Sequence, residues 1–452
     1  MIKRGIFKAN DIRGITEGSE PEWDAAGAYA IGAAVVEVLD LDGSAGALVV
    51  GRDMRTSGPR MATAFIDGVL SRGVNVIDIG LSSTDQLWFA SGWLDLPGAM
   101  FTASHNPSEY NGIKFCLAGA KPITPSALAE IADRATTATE PTSAVERGRR
   151  SEQDLLLTYA NYLHSLVDLS GIRRLRVVAD AGNGMAGHTL PAVLGDDDLE
   201  LIGLFLDLDG TFPNHPPNPL EPENLLDAQA AVRDHAADLA LVFDGDADRC
   251  FIIDERGEVV SPSAITARIA SQELAREPGA TIVCNKITSR VVPEVVLAEG
   301  GKIVITRVGH TFVKAAMAEH NAIFGGEHSA HYYFREFWGA DTGMLAALHV
   351  LSAAGRSDRP LSELVARFDR YAASGEINSL VSDQQMIMDR VAAALAGRGE
   401  QDRIDGLTVS GPDWWVNVRP SNTEPLLRLN VEAAKRETME TLRDETLSLI
   451  RA

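Results

Sequence analysis

Four short polar runs in the sequence each join a reactive or charged side chain to turn-forming neighbours, and each follows an apolar run. The first is Thr102-Ala103-Ser104-His105-Asn106-Pro107. A serine hydroxyl is a weak nucleophile alone, so chemistry at Ser104 requires an activating neighbour or a prior covalent modification. His105 is adjacent in sequence, which does not establish a hydrogen bond, and the plain alternative is a turn built from Ser, Asn and Pro.

The second run, Asp244-Gly245-Asp246-Ala247-Asp248-Arg249, lies between apolar stretches 239–243 and 250–253. Three carboxylates at alternate positions repel one another unless a cation neutralises them, and an all-oxygen ligand set suits a hard ion such as Mg²⁺ or Ca²⁺. The competing reading is a solvated acidic turn. Glu255 falls at the twelfth position of an EF-hand loop, but Arg249 occupies the position where that loop needs glycine and the following CFII reads as a strand, so an EF-hand is excluded.

The third run is Gly325-Gly326-Glu327-His328-Ser329-Ala330-His331. Two glycines would let the backbone approach a ligand, and Glu, His and Ser offer the mixed donors and acceptors that sugar hydroxyls require. A hairpin with incidental polar residues is the alternative. The fourth, Arg419-Pro420-Ser421-Asn422-Thr423-Glu424-Pro425, brings a guanidinium, two hydroxyls, an amide and backbone N–H groups into one turn, the donors of a phosphate site. Its alternative is a surface turn between strands. A further run, Gly182-Asn183-Gly184-Met185-Ala186-Gly187, matches the dinucleotide fingerprint, with Asp207 or Asp209 beyond the next strand. A dehydrogenase would leave the other four runs unexplained, and the same strand-to-helix junction recurs twice without the glycines.

The elements that must position these runs repeat along the chain. Strand-like stretches at 48–52, 176–180 and 281–285 are each followed by a helical pattern and a second strand, at 74–80, 199–207 and 302–309. Glycine closes the first and third helices, as a left-handed C-cap requires. Strand, helix, strand at this spacing is the crossover unit of an α/β sheet. The end differs: strands at 414–418 and 426–432 flank one loop, and a helix runs from Ala434. The expected fold is therefore α/β, with three related mixed α/β domains and a smaller C-terminal α+β domain. The expected ranges are 1–148, 149–253, 254–366 and 367–452.

Composition narrows the function classes. The 452 residues carry 41 Lys and Arg against 63 Asp and Glu, a net charge of −22, which argues against nucleic-acid or anionic-membrane partners. Three cysteines cannot build a disulfide framework and fit a reducing compartment. The first twelve residues lack the apolar core of a signal peptide, and the uncharged stretch 25–36 is too short to span a bilayer. A soluble cytoplasmic protein is expected.

Together, in this order and across essentially the whole chain, TASHNP, DGDADR, GEHSAH and RPSNTEP resemble the phosphoserine, magnesium, sugar-recognition and phosphate loops of the α-D-phosphohexomutase family. The resemblance implies four domains around a central cleft. It implies that Ser104 carries a phosphoryl group and shares Mg²⁺ with Asp244, Asp246 and Asp248. Glu327 and Ser329 would grip the sugar, and Arg419, Ser421, Asn422 and Thr423 its phosphate. Arg13, Lys114 and His331 resemble residues near the reacting oxygen, where a general acid or base is needed. Lys286 and His310 resemble substrate-orienting residues, and Arg249 should approach the sugar or the phosphoserine. The five cations from all four domains, Arg13, Lys114, Arg249, Lys286 and Arg419, would make one positive region inside an acidic shell.

The implied activity is an isomerase, monomeric or homodimeric, interconverting mannose 6-phosphate and mannose 1-phosphate, with glucose phosphates as further substrates. Hexose 1,6-bisphosphate would be its intermediate and activator, turning end for end between two transfers. His328 and Ala330 resemble the mannose branch, whereas glucosamine phosphate mutases typically carry Gln and Gly there. Asn10 departs from the tyrosine that bacterial members often have before DIRG. Alternatives are a glucose or glucosamine phosphate mutase, an aspartyl-phosphate phosphatase with Asp244 as nucleophile, and a non-catalytic sugar-phosphate sensor.

Overall fold

Apolar runs with no polar interruption become central strands, because a parallel strand covered by helices on both faces has no solvent side to present. The computed structural model describes residues 1–41, 46–137, 146–195, 199–421 and 426–452. In chain order, β1 (Ile12–Ile15), α1 (Ala25–Val38), β2 (Ala47–Arg52), α2 (Gly58–Ser71), β3 (Asn75–Leu81), α3 (Thr84–Leu94), β4 (Gly98–Phe101), β5 (Tyr110–Leu117), β6 (Lys121–Pro122), α4 (Pro125–Thr137) and β7 (Arg150–Glu152) build the first sheet and its helices. Its strand order is β1-β5-β4-β2-β3-β7, with β6 beside β5.

After α5 (Leu156–Leu166), the strands β8 (Leu175–Asp180), β9 (Leu199–Leu204), β10 (Leu239–Phe243), β11 (Cys250–Asp254) and β12 (Val259–Val260) form a second sheet, in the order β12-β11-β10-β8-β9. Helix α6 (Ala186–Leu194) joins β8 to β9, and α7 (Leu226–His235) precedes β10. Next come α8 (Pro262–Arg276), β13 (Thr281–Asn285), α9 (Val291–Ala298), β14 (Lys302–Thr306), α10 (His310–Glu319) and β15 (Phe324–Gly326), with β14 and β15 both parallel to β13.

Strands β16 (Tyr332–Phe334) and β17 (Ala340–Asp341) pair antiparallel and lead into α11 (Gly343–Gly355) and α12 (Leu361–Val365). The C-terminal sheet contains β18 (Ala372–Ala373), β19 (Ile377–Leu380), β20 (Glu400–Asp402), β21 (Leu407–Ser410), β22 (Trp414–Pro420) and β23 (Leu426–Ala433), with α13 (Gln384–Ala394) and α14 (Arg436–Arg451). The chain divides into two compact units, residues 1–260 with 329–364, and residues 261–328 with 365–452.

The repeated segments share one topology. β2, β8 and β13 each send a helix to a parallel neighbour on one side, and the chain then returns to a parallel neighbour on the other side, β4, β10 and β15. The direction of winding reverses at the first strand of each triplet, and beyond the carboxyl ends of such strands lies the usual ligand position of an α/β sheet. The first three polar runs each leave the third strand of a triplet.

The uncharged stretch 25–36 becomes core. Asp24 caps α1 by accepting from the Gly27 amide at 3.0 Å, and Ile31 and Val35 are fully buried. Gly73 (φ 84°) and Gly300 (φ 78°) adopt the left-handed conformation expected after the first and third repeat helices. Among the described residues no helix is long and apolar enough to cross a membrane. Cys116 in β5, Cys250 in β11 and Cys284 in β13 are buried and unbridged. Burial pushes the Cys284 thiol up to about 12 and raises that of Cys250 further.

One element differs from expectation. Gly325 and Gly326 were expected to be loop residues approaching a ligand, but they lie in β15, paired with Val283 and Cys284. A Cβ on Gly326 would stand 2.4 Å from the Thr266 side chain, so this glycine admits a neighbouring helix rather than a ligand.

Candidate active site

In the first unit the serine loop begins where β4 ends. Ser104 is 4% exposed and adopts φ 49°, a left-handed conformation uncommon for a residue with a Cβ, and surrounding contacts must hold it there. Its amide donates to Thr102 Oγ1 at 2.9 Å. Its hydroxyl donates to Asp244 Oδ2 at 2.7 Å and accepts from Arg249 Nη2 at 3.3 Å. His105 Nδ1 is 3.2 Å from Ser104 Oγ, yet it also accepts from Arg249 Nη2 at 2.6 Å. Burial, with Arg249 and Arg13 adding repulsion, holds the His105 pKa far below the ordinary value, so the ring is neutral and Nδ1 can accept.

The acidic loop leaves β10 and packs directly on the serine loop. A Cβ on Gly245 would lie 2.5 Å from the Ser104 carbonyl oxygen, and one on Gly184 would lie 2.6 Å from the Gly245 carbonyl oxygen. The dinucleotide-like glycines therefore serve a stack of three loops. Met185 donates its amide to that same Gly245 carbonyl at 2.9 Å.

Asp244, Asp246 and Asp248 are each no more than 1% exposed, with one ligand atom from each inside a 4.8 Å cluster. Lys114 Nζ donates to Asp246 Oδ2 at 2.7 Å and Asp248 Oδ2 at 2.6 Å, and Arg249 pairs with Asp244 at 2.7 Å. Three carboxylates against two cations leave one formal negative charge. Asp246 Oδ1 and Asp248 Oδ1 are buried without a hydrogen bond among the described residues. Buried acceptors without donors are uncommon, and they fit an oxygen-preferring divalent cation such as Mg²⁺.

The pKa shifts show how tightly the charges are bound. Burial pushes the Asp244 carboxyl up to about 7 against the pull of Arg249. Burial acts against ionisation of Asp246 too, but Lys114 and the Thr84 hydroxyl outweigh it and hold this carboxylate well below its ordinary value. Lys114, also opposed by burial, is raised by Asp246 and Asp248. It is a fixed positive charge here, poorly suited to release a proton.

Arg13 donates to Asn106 Oδ1 at 2.7 Å and Asp11 Oδ2 at 2.6 Å, which ties β1 to the serine loop. His331 Nδ1 lies 3.0 Å from Ser329 Oγ, with Nε2 facing Asp248 at 3.7 Å and Asp341 at 3.9 Å. The first unit thus brings together Ser104, the three aspartates, Arg249, Lys114, Arg13, Ser329 and His331.

The second unit holds the remaining candidates. Buried Glu327 accepts from Asn285 Nδ2 at 2.8 Å, and Thr288 Oγ1 fixes Asn285 at 2.8 Å. Lys286 pairs with Asp402 at 2.6 Å, and His310 opens α10. Arg419, in β22, pairs with Glu376, whose other oxygen takes Arg428 at 2.7 Å. Ser421 donates its amide to the Leu426 carbonyl at 2.9 Å, while Asn422 and Thr423 lie outside the described residues. Within its own unit each of the five cations has a carboxylate partner: Arg13, Lys114 and Arg249 in the first, Lys286 and Arg419 in the second.

Sequence reasoning missed several residues that hold these groups. Thr84 donates its hydroxyl to Asp246 Oδ2 at 2.6 Å and its amide to the Asp246 carbonyl at 2.9 Å. Glu376 and Arg428 gave no local signal. Arg55 and Asp53 follow β2 in GRDMRTSG, and the one available clue was that β2 is the strand about which the first triplet reverses.

A reactive serine built into a buried network of carboxylates and cations is equipment for phosphoryl transfer, and comparison with known proteins gives the same class. Residues 4–142, 158–257 and 262–371 match the models of phosphoglucomutase/phosphomannomutase α/β/α domains I, II and III, and residues 376–449 match that of the C-terminal domain. The chain belongs to this family, whose members are isomerases. It is 38% identical over 444 residues to a phosphomannomutase of Escherichia coli K12, covering 96% of both chains. To the phosphohexose mutases of Xanthomonas campestris it is 38% identical over 454 residues, covering 98% of this chain and 99% of theirs. The crystal structure of a phosphoglucomutase/phosphomannomutase family protein from Burkholderia thailandensis is similar at a TM-score of 0.90 and 31% identity, over 100% of this chain and 98% of that one.

Proposed function

We propose that this isomerase interconverts mannose 6-phosphate and mannose 1-phosphate, with Ser104 as phosphoryl carrier. The observation that carries the reading is the Ser104 hydroxyl, left-handed and buried, 2.7 Å from Asp244 and within reach of Arg249. The names of its 37–38% identical relatives support the sugar.

In the proposed cycle the sugar hydroxyl oxygen bonds to the phosphorus of phospho-Ser104, the phosphorus–Oγ bond breaks, and the hydroxyl proton passes to Oγ. The resulting hexose 1,6-bisphosphate turns end for end and returns its other phosphoryl group to Ser104 with the proton movements reversed. Arg249, held against both Asp244 and Ser104, offsets negative charge at Oγ. Lys114 keeps Asp246 and Asp248 in place as a fixed cation. His331, with Nδ1 3.0 Å from the Ser329 hydroxyl and Nε2 3.7 Å from Asp248, would be the proton-carrying group.

Asp244, Asp246 and Asp248, with Ser104, would hold Mg²⁺. When bound, the ion supplies Lewis-acid stabilisation of charge on the phosphoryl oxygens. Lys286, His310, Glu327 and Ser329 would contact the sugar, and Arg419, Ser421, Asn422 and Thr423 its unreacted phosphate. The division into domains at 148, 253 and 366 belongs to the same proposal.

The test is a mutase assay with mannose 6-phosphate, glucose 6-phosphate and glucosamine 6-phosphate, with Mg²⁺ and a trace of hexose 1,6-bisphosphate. Mannose 6-phosphate should react fastest and Ser104→Ala should abolish both turnover and the phosphoenzyme. Equal rates on all three sugars would refute the mannose preference, and full turnover by Ser104→Ala would refute the serine assignment.

A further inference from the structure

Arg55 stands behind the serine loop, 1% exposed, on the chain leaving β2. A guanidinium has five N–H donors in a rigid planar fork, and each one here has an acceptor. Nη2 donates to the carbonyls of Ser104 at 2.8 Å and Asn106 at 2.7 Å. Nη1 donates to those of Pro107 at 2.7 Å and Tyr110 at 3.0 Å. Nε donates to Asp53 Oδ2 at 3.2 Å, and the Arg55 amide binds the other oxygen of that carboxylate at 3.0 Å. The Phe212 ring covers the guanidinium, 5.2 Å from its carbon.

Four carbonyls of one seven-residue stretch thus converge on one side chain. Carbonyls cannot pair with one another; that of Pro107 also takes the Tyr110 amide at 3.1 Å and Tyr110 pairs with Ile15 of β1, so the side chain joins the left-handed serine to the start of β5. The side chain that gathers them fixes the backbone from which Ser104 Oγ projects toward Asp244. Among the described residues none of its hydrogen bonds goes to Oγ or to the three aspartates; they go to the loop and to Asp53, and its charge acts on Asp246 only at a distance.

We infer that Arg55 is a positioning residue for phosphoryl transfer: its five-point clamp holds Ser104 in the one loop conformation from which Oγ can give and take the phosphoryl group. The inference rests on the mutase reading for its kinetic consequence, but not for its structural one. A lysine has three donors without a fork and cannot reproduce the clamp, whereas Asp53→Asn leaves the four carbonyl bonds in place.

The experiment compares Arg55→Lys, Arg55→Ala and Asp53→Asn with the unaltered full-length protein. In Arg55→Lys we expect kcat to fall about 100-fold, the size of effect that a misplacement near 1 Å produces, with KM for the sugar phosphate within about threefold. Loading of Ser104 by hexose 1,6-bisphosphate, read by intact mass, should slow in proportion. Amide hydrogen exchange should rise in the peptide spanning 102–110 and stay unchanged in α1 and α2. Guanidinium ion should restore part of the kcat of Arg55→Ala, and Asp53→Asn should lose less activity than either.

Arg55→Lys with kcat within threefold of the unaltered protein, or with the loss in KM alone, would overturn the inference. So would failure of all three variants to fold, which would make Arg55 a residue of the fold only. If the unaltered protein turns over none of the sugars but loop exchange still rises in Arg55→Lys, the mutase reading fails and the clamp stands.

Discussion

Asp85 is a buried carboxyl with no part in the proposed reaction, and its effect on stability is measurable. It accepts from Tyr159 and Thr342, each at 2.7 Å, and from Ser83. Burial nevertheless pushes its pKa from 3.8 up to about 6, with those hydrogen bonds opposing. The folded state then binds this proton more tightly than the unfolded state, so stability from this group is greatest below pH 4 and declines as pH rises toward 6. We expect Asp85→Asn to flatten the stability-versus-pH curve between about pH 4 and 6, read from urea midpoints at matched pH; an unchanged slope would show that Asp85 titrates normally. The same scale shows what the sequence could reveal. Ser104 and the three aspartates announce themselves because each lies in a compact polar run whose residue types are telling even without the partners, 140 residues apart for Ser104 and Asp244. Arg55 does not, because its partners are backbone carbonyls 49 to 55 residues away, and a carbonyl has no sequence signature. Glu376 is equally silent, since its partners Arg419 and Arg428 lie 43 and 52 residues away.

Among elements, α3 has an unusual position. Ser83 caps it by accepting from the Gln86 amide at 3.2 Å, while Thr84, in its first turn, donates to Asp246. The helix start is thereby tied to the acidic loop. Thr84→Val keeps the shape and removes the hydroxyl, leaving Lys114 as the remaining side-chain donor to Asp246 Oδ2. We expect a loss of about 1.5–3 kcal/mol, the usual contribution of a hydrogen bond to a charged group, together with a higher Mg²⁺ requirement for activity. Denaturant midpoints and a Mg²⁺ titration would show it; normal values of both would remove Thr84 from the site's support. The strand before the acidic loop was legible: the apolar stretch 239–243 is β10, because a strand buried on both faces is written as an unbroken apolar run. β15 was misplaced because its two glycines resemble a turn, and only the neighbouring Thr266 shows why they are strand residues.

On the scale of the whole molecule, the excess of acidic residues and the division into two units matter most. The charge of −22 does not preclude a phosphorylated substrate, since the proposed ligand-binding cations arrive already paired with carboxylates that an incoming phosphate would compete against. The three cysteines carry a different consequence. Cys116 and Cys250 belong to the first unit and Cys284 to the second, and all three are at most 1% exposed. A bulky thiol reagent can therefore reach each one only when the structure around it opens, and parts of a protein open with unequal free energies. In native buffer we expect no fast labelling at any of the three; prompt reaction at one would contradict its burial. As denaturant is raised, mass spectrometry of the labelled peptides would time the opening of each unit separately, at natural residues and without an engineered probe.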